Sequence, residues 1–475
     1  MTANYEKFYI NGAWVEPISK TRAPVINPAI GESFATVALA DEADVARAVA
    51  AAKAAFPAFS RTSLEERREL LERIAVAYER RRAEIAEILI LEAGFPRQLA
   101  HGWQVGLGTS HFAQAIETLK AFPFDEARGT TRVRREPIGV AGLITPWNWP
   151  INQIVCKVAP ALAVGNTTVL KPSELSPLNA VIFAEILDEA GVPPGVFNLI
   201  NGDGATAGAA LSAHPDVDVV SFTGSTRAGV AVATAGAATV KRILQELGGK
   251  SPFIALPDAP LEKAVSDGVA GAYLNVGQTC NAPTRLFVPR DRLVEAERIA
   301  AASAERFRTG EPDSVDTDLG PLISETQWLK VQRLIQAGID EGAKLVTGGV
   351  GKPRGLERGY YVRPTVFSEV KPEHTIFREE IFGPVLSITP YNDIEEAIEL
   401  ANDTIYGLAG YVHSADVEAA RAAAGRIRAG TIYINSPAWD SRAPFGGYKA
   451  SGNGREYADF AFSDFTEIKG VVGWG

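Results

Sequence analysis

Cysteine is nearly missing from this 475-residue chain: Cys156 and Cys280 are the only two, and no Cys-x-x-Cys pair occurs. That excludes a disulfide framework and a thiol-ligated metal centre, and it fits a reducing cytoplasm. Histidine is scarce as well, five residues with no His-Glu-x-x-His or related spacing, so no catalytic metal is expected. No stretch approaches the ~20 apolar residues of a membrane span, and the opening M-T-A-N-Y-E-K-F-Y-I lacks the apolar core of a signal peptide. Basic residues are outnumbered, 47 Lys and Arg against 57 Asp and Glu, for a net charge of -10. Nucleic acid and anionic membrane are thereby excluded as partners, since both select clustered cations.

What is present is ordinary globular material, 46% hydrophobic and 22% charged, over a length that calls for two or three domains. Residues 41–56 and 63–91 carry Ala, Leu, Ile and Arg at helical spacing. The second stretch opens on a Ser63/Glu66 capping box and stops at Gly94 and Pro96. Residues 122–137 alternate and are strongly charged, as in an extended arm or hairpin that makes an oligomer contact. From 139 to 257 short β-branched runs alternate with capped helices, the pattern of a parallel sheet covered on both faces. A second such region runs from 261 through the strand at 430–435, and residues 462–474 read as a closing strand able to pair with the arm. Ligands of such sheets sit beyond the carboxyl ends of the strands, where Lys171, Gly202 and Gly224 fall.

Five stretches carry chemistry. N-V-G-Q-T-C-N-A-P-T-R at 275–285 sets Cys280 in a glycine-bearing turn where backbone can approach the sulfur. It reads either as a nucleophile or as an inert buried thiol. F-T-G-S-T-R-A-G at 222–229 follows a strand and opens a helix. That is a place for a pyrophosphate, although its G-x-T-x-x-G differs from the usual dinucleotide fingerprint. K-P-S-E at 171–174 ends another strand with a cation and a carboxylate. Q-E-L-G-G-K at 245–250 puts Glu246 after an apolar run, where partial desolvation raises its pKa toward that of a general base; the plainer reading is a carboxylate bonded to backbone N–H groups. In P-W-N-W-P at 146–150, Asn148 is a neutral donor for an oxyanion and the tryptophans are pocket walls or core. Cys156, in I-V-C-K-V-A-P, reads as core.

These motifs, with E-E-I-F-G-P-V and P-F-G-G-Y-K-x-S-G, resemble in order those of the NAD(P)-dependent aldehyde dehydrogenase superfamily, over nearly the whole chain from Tyr9 on. The resemblance implies an α/β fold: a Rossmann-type parallel-sheet cofactor domain (1–121 and 140–248), a second α/β catalytic domain (249–454), and a small β bridging element (122–139 and 455–475) that builds a homodimer or homotetramer. It implies oxidation of a small-molecule aldehyde to an acid. Cys280 would attack to form a thiohemiacetal, Asn148 and the Cys280 N–H would hold the oxyanion, and Glu246 would activate the water that releases the thioester. The cofactor surface would comprise Ile144, Thr145, Pro146, Trp147, Lys171, Ser173, Glu174, Gly204, Gly208, Phe222, Gly224, Ser225, Leu247, Glu380 and Phe382, with Glu174 favouring NAD over NADP by repelling a 2′-phosphate. The substrate pocket would comprise Trp149, Thr279, Asn281, Trp439 and Phe445.

Two departures from the family pattern are Pro283, where many relatives have glycine, and S-P-A-W-D-S-R at 436–442. There Arg442 reads as a surface arginine, with a semialdehyde carboxylate as its alternative partner. Three other functions compete with the leading one. A CoA-acylating enzyme is disfavoured by Glu246, and a non-catalytic cofactor-binding protein by the joint presence of Cys280, Glu246 and Asn148. A Cys-His hydrolase is disfavoured because no histidine sits in a catalytic context.

Overall fold

The computed structural model of the chain describes residues 5–474. Residues 1–4 of the opening stretch and residue 475 of the expected bridging element lie outside the described residues.

Two mostly parallel sheets organise the molecule. The first orders its strands Gly452–Asn453, Arg242–Glu246, Val219–Thr223, Val140–Ile144, Thr167–Lys171, Phe197–Leu199, Phe8–Ile10 and Ala13–Val15. Its five central strands are parallel, and antiparallel partners close both edges. The second orders Lys344–Thr347, Thr365–Ser368, Val385–Tyr391, Arg285–Pro289, Pro252–Ala255, Ala409–His413 and Thr431–Ile434, parallel except at its first edge. The central strands of both are buried on both faces because helices cover both faces, which is why their apolar residues run on without alternation.

Local rules account for the helices. Leu64–Ala93 starts at Ser63, whose side chain accepts from Glu66 N while the Glu66 carboxylate returns to Ser63, and it ends at left-handed Gly94. Glu42–Phe59 is capped in the same way by Asp41 and Asp44. Pro150–Val164 begins with proline, which needs no N–H partner at that position, and all its residues are buried. This central helix holds the segment before it, Trp147 to Trp149, at the end of strand Val140–Ile144.

The charged arm is a hairpin, Asp125–Arg128 and Thr131–Pro137, and Thr466–Val472 pairs with its second strand to make a three-stranded antiparallel sheet. The closing strand starts later than its sequence suggests. Ala458–Asp464 is a helix, with Phe462 buried against Phe122, so the run from 462 is first a helical face and only then a strand. The N-terminal region adds the hairpin Arg22–Asn27 and Glu32–Ala38. No described helix is long and apolar enough to cross a membrane, and no described group of three or more His, Cys, Asp or Glu is arranged to hold a metal.

Candidate active site

The two sheets aim different residues into one cavity of about 230 Å³. From the first come Pro146, Trp147 and Asn148 after strand Val140–Ile144, Gly224 and Ser225 after Val219–Thr223, and Glu246 and Leu247 at the end of Arg242–Glu246. From the second region come Cys280, Glu380 and Phe382. Ten of the residues expected from sequence therefore share a single wall, although Asn148 and Glu380 are separated by more than two hundred positions.

The Cys280 turn is held rather than left loose. Asn275, Val276 and Gly277 are consecutive left-handed residues (φ 54°, 58° and 71°), a conformation that costs about 1–3 kcal/mol for a residue such as valine. A Cβ on Gly277 would lie 2.1 Å from the Gly383 carbonyl oxygen, so only glycine fits. Side chains pay for the strain: Asn275 Nδ2 donates to the Asn148 carbonyl at 2.7 Å, and the Gln278 side chain accepts from Ile323 N at 3.1 Å. Asn148 Nδ2 donates to the Gln278 carbonyl at 3.0 Å, which uses one of its two N–H bonds and keeps the amide beside the thiol turn. Pro283, the departure noted above, packs its ring on Gly271 of helix Leu261–Tyr273, where an added Cβ would meet it at 2.8 Å.

Cys280 is half-buried, and its thiol is pushed well above the ordinary range, first by burial and then by the carboxylates of Glu246, Glu380 and Glu456. The sulfur is consequently a thiol that must lose its proton to a base before it attacks. Glu246 is buried, and neither carboxylate oxygen has a hydrogen-bond partner among the described residues. The structural alternative of a carboxylate bonded to backbone N–H groups is thus excluded. Burial raises its pKa strongly, Glu456 raises it further, and Lys157 and Arg455 oppose the rise. Gly446 makes room for it: a Cβ there would stand 2.7 Å from Glu246 Oε1.

Sequence reading missed several members. Lys157, 1% exposed in the central helix, forms a tight ion pair with Glu456, and Cys156 Sγ lies 3.5 Å from the same carboxylate. Cys156 is core, as expected, but core that touches a buried charge pair beside Glu246 rather than apolar neighbours alone. The two partners are about three hundred residues apart, and neither stands in a recognisable local pattern. Gln327 and Lys330 also line the cavity from helix Glu325–Asp340; Gln327 Nε2 donates to the Phe382 carbonyl at 2.7 Å and fixes that left-handed residue (φ 61°).

The cofactor candidates divide into two groups. Gly224 and Ser225 form the turn that opens helix Thr226–Gly236, with Ser225 Oγ accepting from Ala228 N. Phe222 packs its ring against Gly224. Glu380 accepts from Gly249 N at 2.8 Å, and Phe382 meets Trp147 edge-on with ring centroids 5.4 Å apart. Lys171, Ser173, Glu174, Gly204 and Gly208 lie outside this cavity, as do the strand-end residues Ile144 and Thr145. Lys171 Nζ is buried, donates to the carbonyls of Pro172 (2.9 Å) and Gly202 (2.7 Å), and stands 3.7 Å from the Glu174 carboxylate. Gly208 runs beside the Lys171 stem. Gly204 opens the turn Gly204–Gly208, with Asp203 capping it through Thr206 N.

None of the five substrate-pocket candidates lines that cavity. Trp149 Nε1 donates to Thr279 Oγ1 at 3.2 Å, and the Asn281 carbonyl accepts from the Tyr411 hydroxyl at 3.0 Å. Phe445 and Trp439 join Cys156, Leu408 and Tyr457 in an apolar cluster against which Cys280 also packs. His111 stacks on Tyr457 and meets Trp439 edge-on; burial pulls its pKa down to about 4, so it is uncharged at neutral pH. Arg442 is 77% exposed and held by both oxygens of Asp440, at 2.9 and 3.1 Å.

Residues 14–471 match the model of the aldehyde dehydrogenase family. The chain is 54% identical to 3-succinoylsemialdehyde-pyridine dehydrogenase of a Pseudomonas species over 99% of both chains. It superposes with a TM-score of 0.99 on aldehyde dehydrogenase C of Pseudomonas syringae, crystallised with NAD+ and octanal, at 52% identity over 99% of this chain and 97% of that one. An aldehyde dehydrogenase of Bartonella henselae, 46% identical over 99% of this chain and all of its own, gives 0.97.

Proposed function

The chain belongs to the aldehyde dehydrogenase family and oxidises an aldehyde, and we propose that it does so with Cys280 as nucleophile, Glu246 as base and NAD as cofactor. The observation that carries this reading is the buried Glu246 carboxylate, neither oxygen bonded among the described residues, in the same cavity as the Cys280 thiol. Glu246 takes the thiol proton as the sulfur adds to the aldehyde carbon, and the free N–H of Asn148 with the Cys280 backbone N–H stabilises the oxyanion of the thiohemiacetal. NAD, when bound, supplies the acceptor for the hydride that leaves that carbon. Glu246, having passed the thiol proton to solvent, then accepts a proton from water as it attacks the thioester; the C–S bond breaks, the Cys280 sulfur regains a proton and the acid is released. Lys157 and Arg455 favour the ionised form of Glu246, against burial and the Glu456 carboxylate.

The residues fit a dinucleotide. A glycine-serine turn opens a helix at the cavity, a carboxylate (Glu380) is fixed by a backbone N–H, and an aromatic pair, Trp147 and Phe382, forms one wall. Lys171, oriented by the Gly202 and Pro172 carbonyls, and Glu174 beside it are assigned to the adenine ribose, with Glu174 discriminating against a 2′-phosphate. The substrate class is an uncharged apolar aldehyde, because Phe445, Trp439, Tyr457 and Leu408 form an apolar cluster with Cys156 against Cys280. A carboxylated substrate would need a cation facing it, and Arg442 is committed to Asp440 at the surface. The relative crystallised with octanal fits the same reading.

The domain limits drawn from the sequence are kept, with the hairpin at 125–137 and strand Thr466–Val472 as a bridging element of a homodimer or homotetramer in the cytoplasm. Exposed Ile468, Val472 and Trp474 on that sheet support it, and light scattering at micromolar concentration should give more than one protomer. The functional test is NADH absorbance with octanal, benzaldehyde and succinic semialdehyde. The two apolar substrates should turn over with the higher kcat/KM, and Cys280→Ala should abolish all three. Activity surviving that change, or succinic semialdehyde as the best substrate, would contradict the corresponding part.

A further inference from the structure

A second cavity, about 850 Å³ and sharing no residue with the catalytic one, lies between the start of helix Leu64–Ala93 and the charged hairpin. On a chain of net charge -10 it collects five cations, Arg61, Arg67, Arg134, Arg135 and Lys469. Its two carboxylates are already engaged: Glu136 pairs with Lys469, and Asp125 lies 2.7 Å from Arg132 and only 3.8 Å from Arg134. Arg135 donates to the Pro123 carbonyl at 3.1 Å and lies over the Phe122 ring.

Arg67 is the anomaly. It is 7% exposed, its Nε is sealed from solvent, and among the described residues its guanidinium has neither a hydrogen bond nor an ion pair. The neighbouring Glu66 is occupied with Ser63 in the capping box, and the Phe124 ring at 5.8 Å supplies only a weak cation–π contact. Its Nη1 reaches under Gly165, past the end of helix Pro150–Val164, whose carbonyl dipoles favour the charge without bonding it. Burial alone pulls this arginine below its ordinary pKa. An arginine this buried is normally paired, because a donor sealed from water without an acceptor, as its Nε is, destabilises the fold. Arg61, on the same cavity, is exposed, and its side chain too has no partner among the described residues.

We propose that this cavity is a binding site for a small phosphate-bearing anion, gripped by Arg67 in the wall and by the exposed Arg61 and Arg134. Three planar forks with no firm carboxylate partner match the several acceptor oxygens and double charge of a phosphoryl group better than a single carboxylate. The capping box already serves the helix N-terminus, so the selectivity comes from the arginines.

Inorganic pyrophosphate is the probe, titrated calorimetrically into the full-length protein with saturating NAD+ present and ionic strength matched with NaCl. One saturable site per chain is expected, weakened at least tenfold in Arg67→Met. Because that variant removes a buried residue, the surface double variant Arg61→Ser/Arg134→Ser should show the same loss with its melting temperature unchanged. Absence of saturable binding, or equal affinity in the double variant, would overturn the proposal. So would a change in sedimentation of the double variant, which would mean that an acidic segment of a second copy fills the cavity.

Discussion

Glu92 and Glu246 are both buried glutamates at the ends of structural elements, yet they sit in opposite surroundings. Glu92, near the end of helix Leu64–Ala93, accepts from Leu178 N (2.7 Å), Asn179 N (3.1 Å) and Asn179 Nδ2 (2.7 Å), and so caps helix Leu178–Glu189 from outside its own sequence. The Glu246 carboxylate accepts from no described residue. Burial raises both, but the three donors limit Glu92 to about 7, whereas a second carboxylate pushes Glu246 further. Donors turn a buried carboxylate into a joint between helices; their absence leaves lone pairs free for a proton in transit.

The comparison breaks most visibly at Glu246. Glu246→Gln keeps shape and burial but removes the base, so steady-state turnover should fall by about 10²–10⁴-fold with little change in melting temperature. In the parent, turnover should climb with pH as the raised acid ionises, with its midpoint above the ordinary value of 4.5, and the variant should lose that limb. A variant that unfolds instead would show Glu246 to be structural.

At Glu92 the expected effect is on stability alone. Its folded pKa, about 7, exceeds the ordinary 4.5, so the folded state holds the proton more tightly. The resulting stabilisation is complete below pH 4.5 and is lost as pH rises through 7, a change of order 3 kcal/mol. Urea denaturation of Glu92→Gln between those limits should lack this slope while activity per folded molecule is retained. A third glutamate, Glu174, is partly exposed beside Lys171, and its effect should be smallest. Glu174→Gln should narrow the preference for NAD over NADP by roughly five- to tenfold, as expected for one screened charge pair; an unchanged ratio of kcat/KM would remove it from cofactor selection.

Sequence alone carried far where local chemistry determines local structure. Ser63 and Glu66, Gly94, and the β-branched runs around 140, 168 and 220 predict their elements because caps and two-sided burial leave marks within a few residues. Ten of the cavity residues from 146 to 382 follow from motifs that mark a strand end or turn, whereas Gln327 and Lys330 do not. Contacts made only by folding left no such mark: Lys157 with Glu456, Gln327 with Phe382, and Arg442 with Asp440 depend on distant pairings or on which way a surface loop turns. The helix Ala458–Asp464 was hidden because its short aromatic run serves a helical face and a strand equally well.

The central claim is that Cys280 and Glu246 share the two halves of one reaction, and rapid mixing of Glu246→Gln with NAD and octanal tests it most directly. NADH formation should be slowed at least a hundredfold from the first turnover, with no burst, because Cys280 has lost the base that takes its proton as well as the base that activates water. A burst of one equivalent at the parent's rate, or undiminished steady turnover, would contradict it.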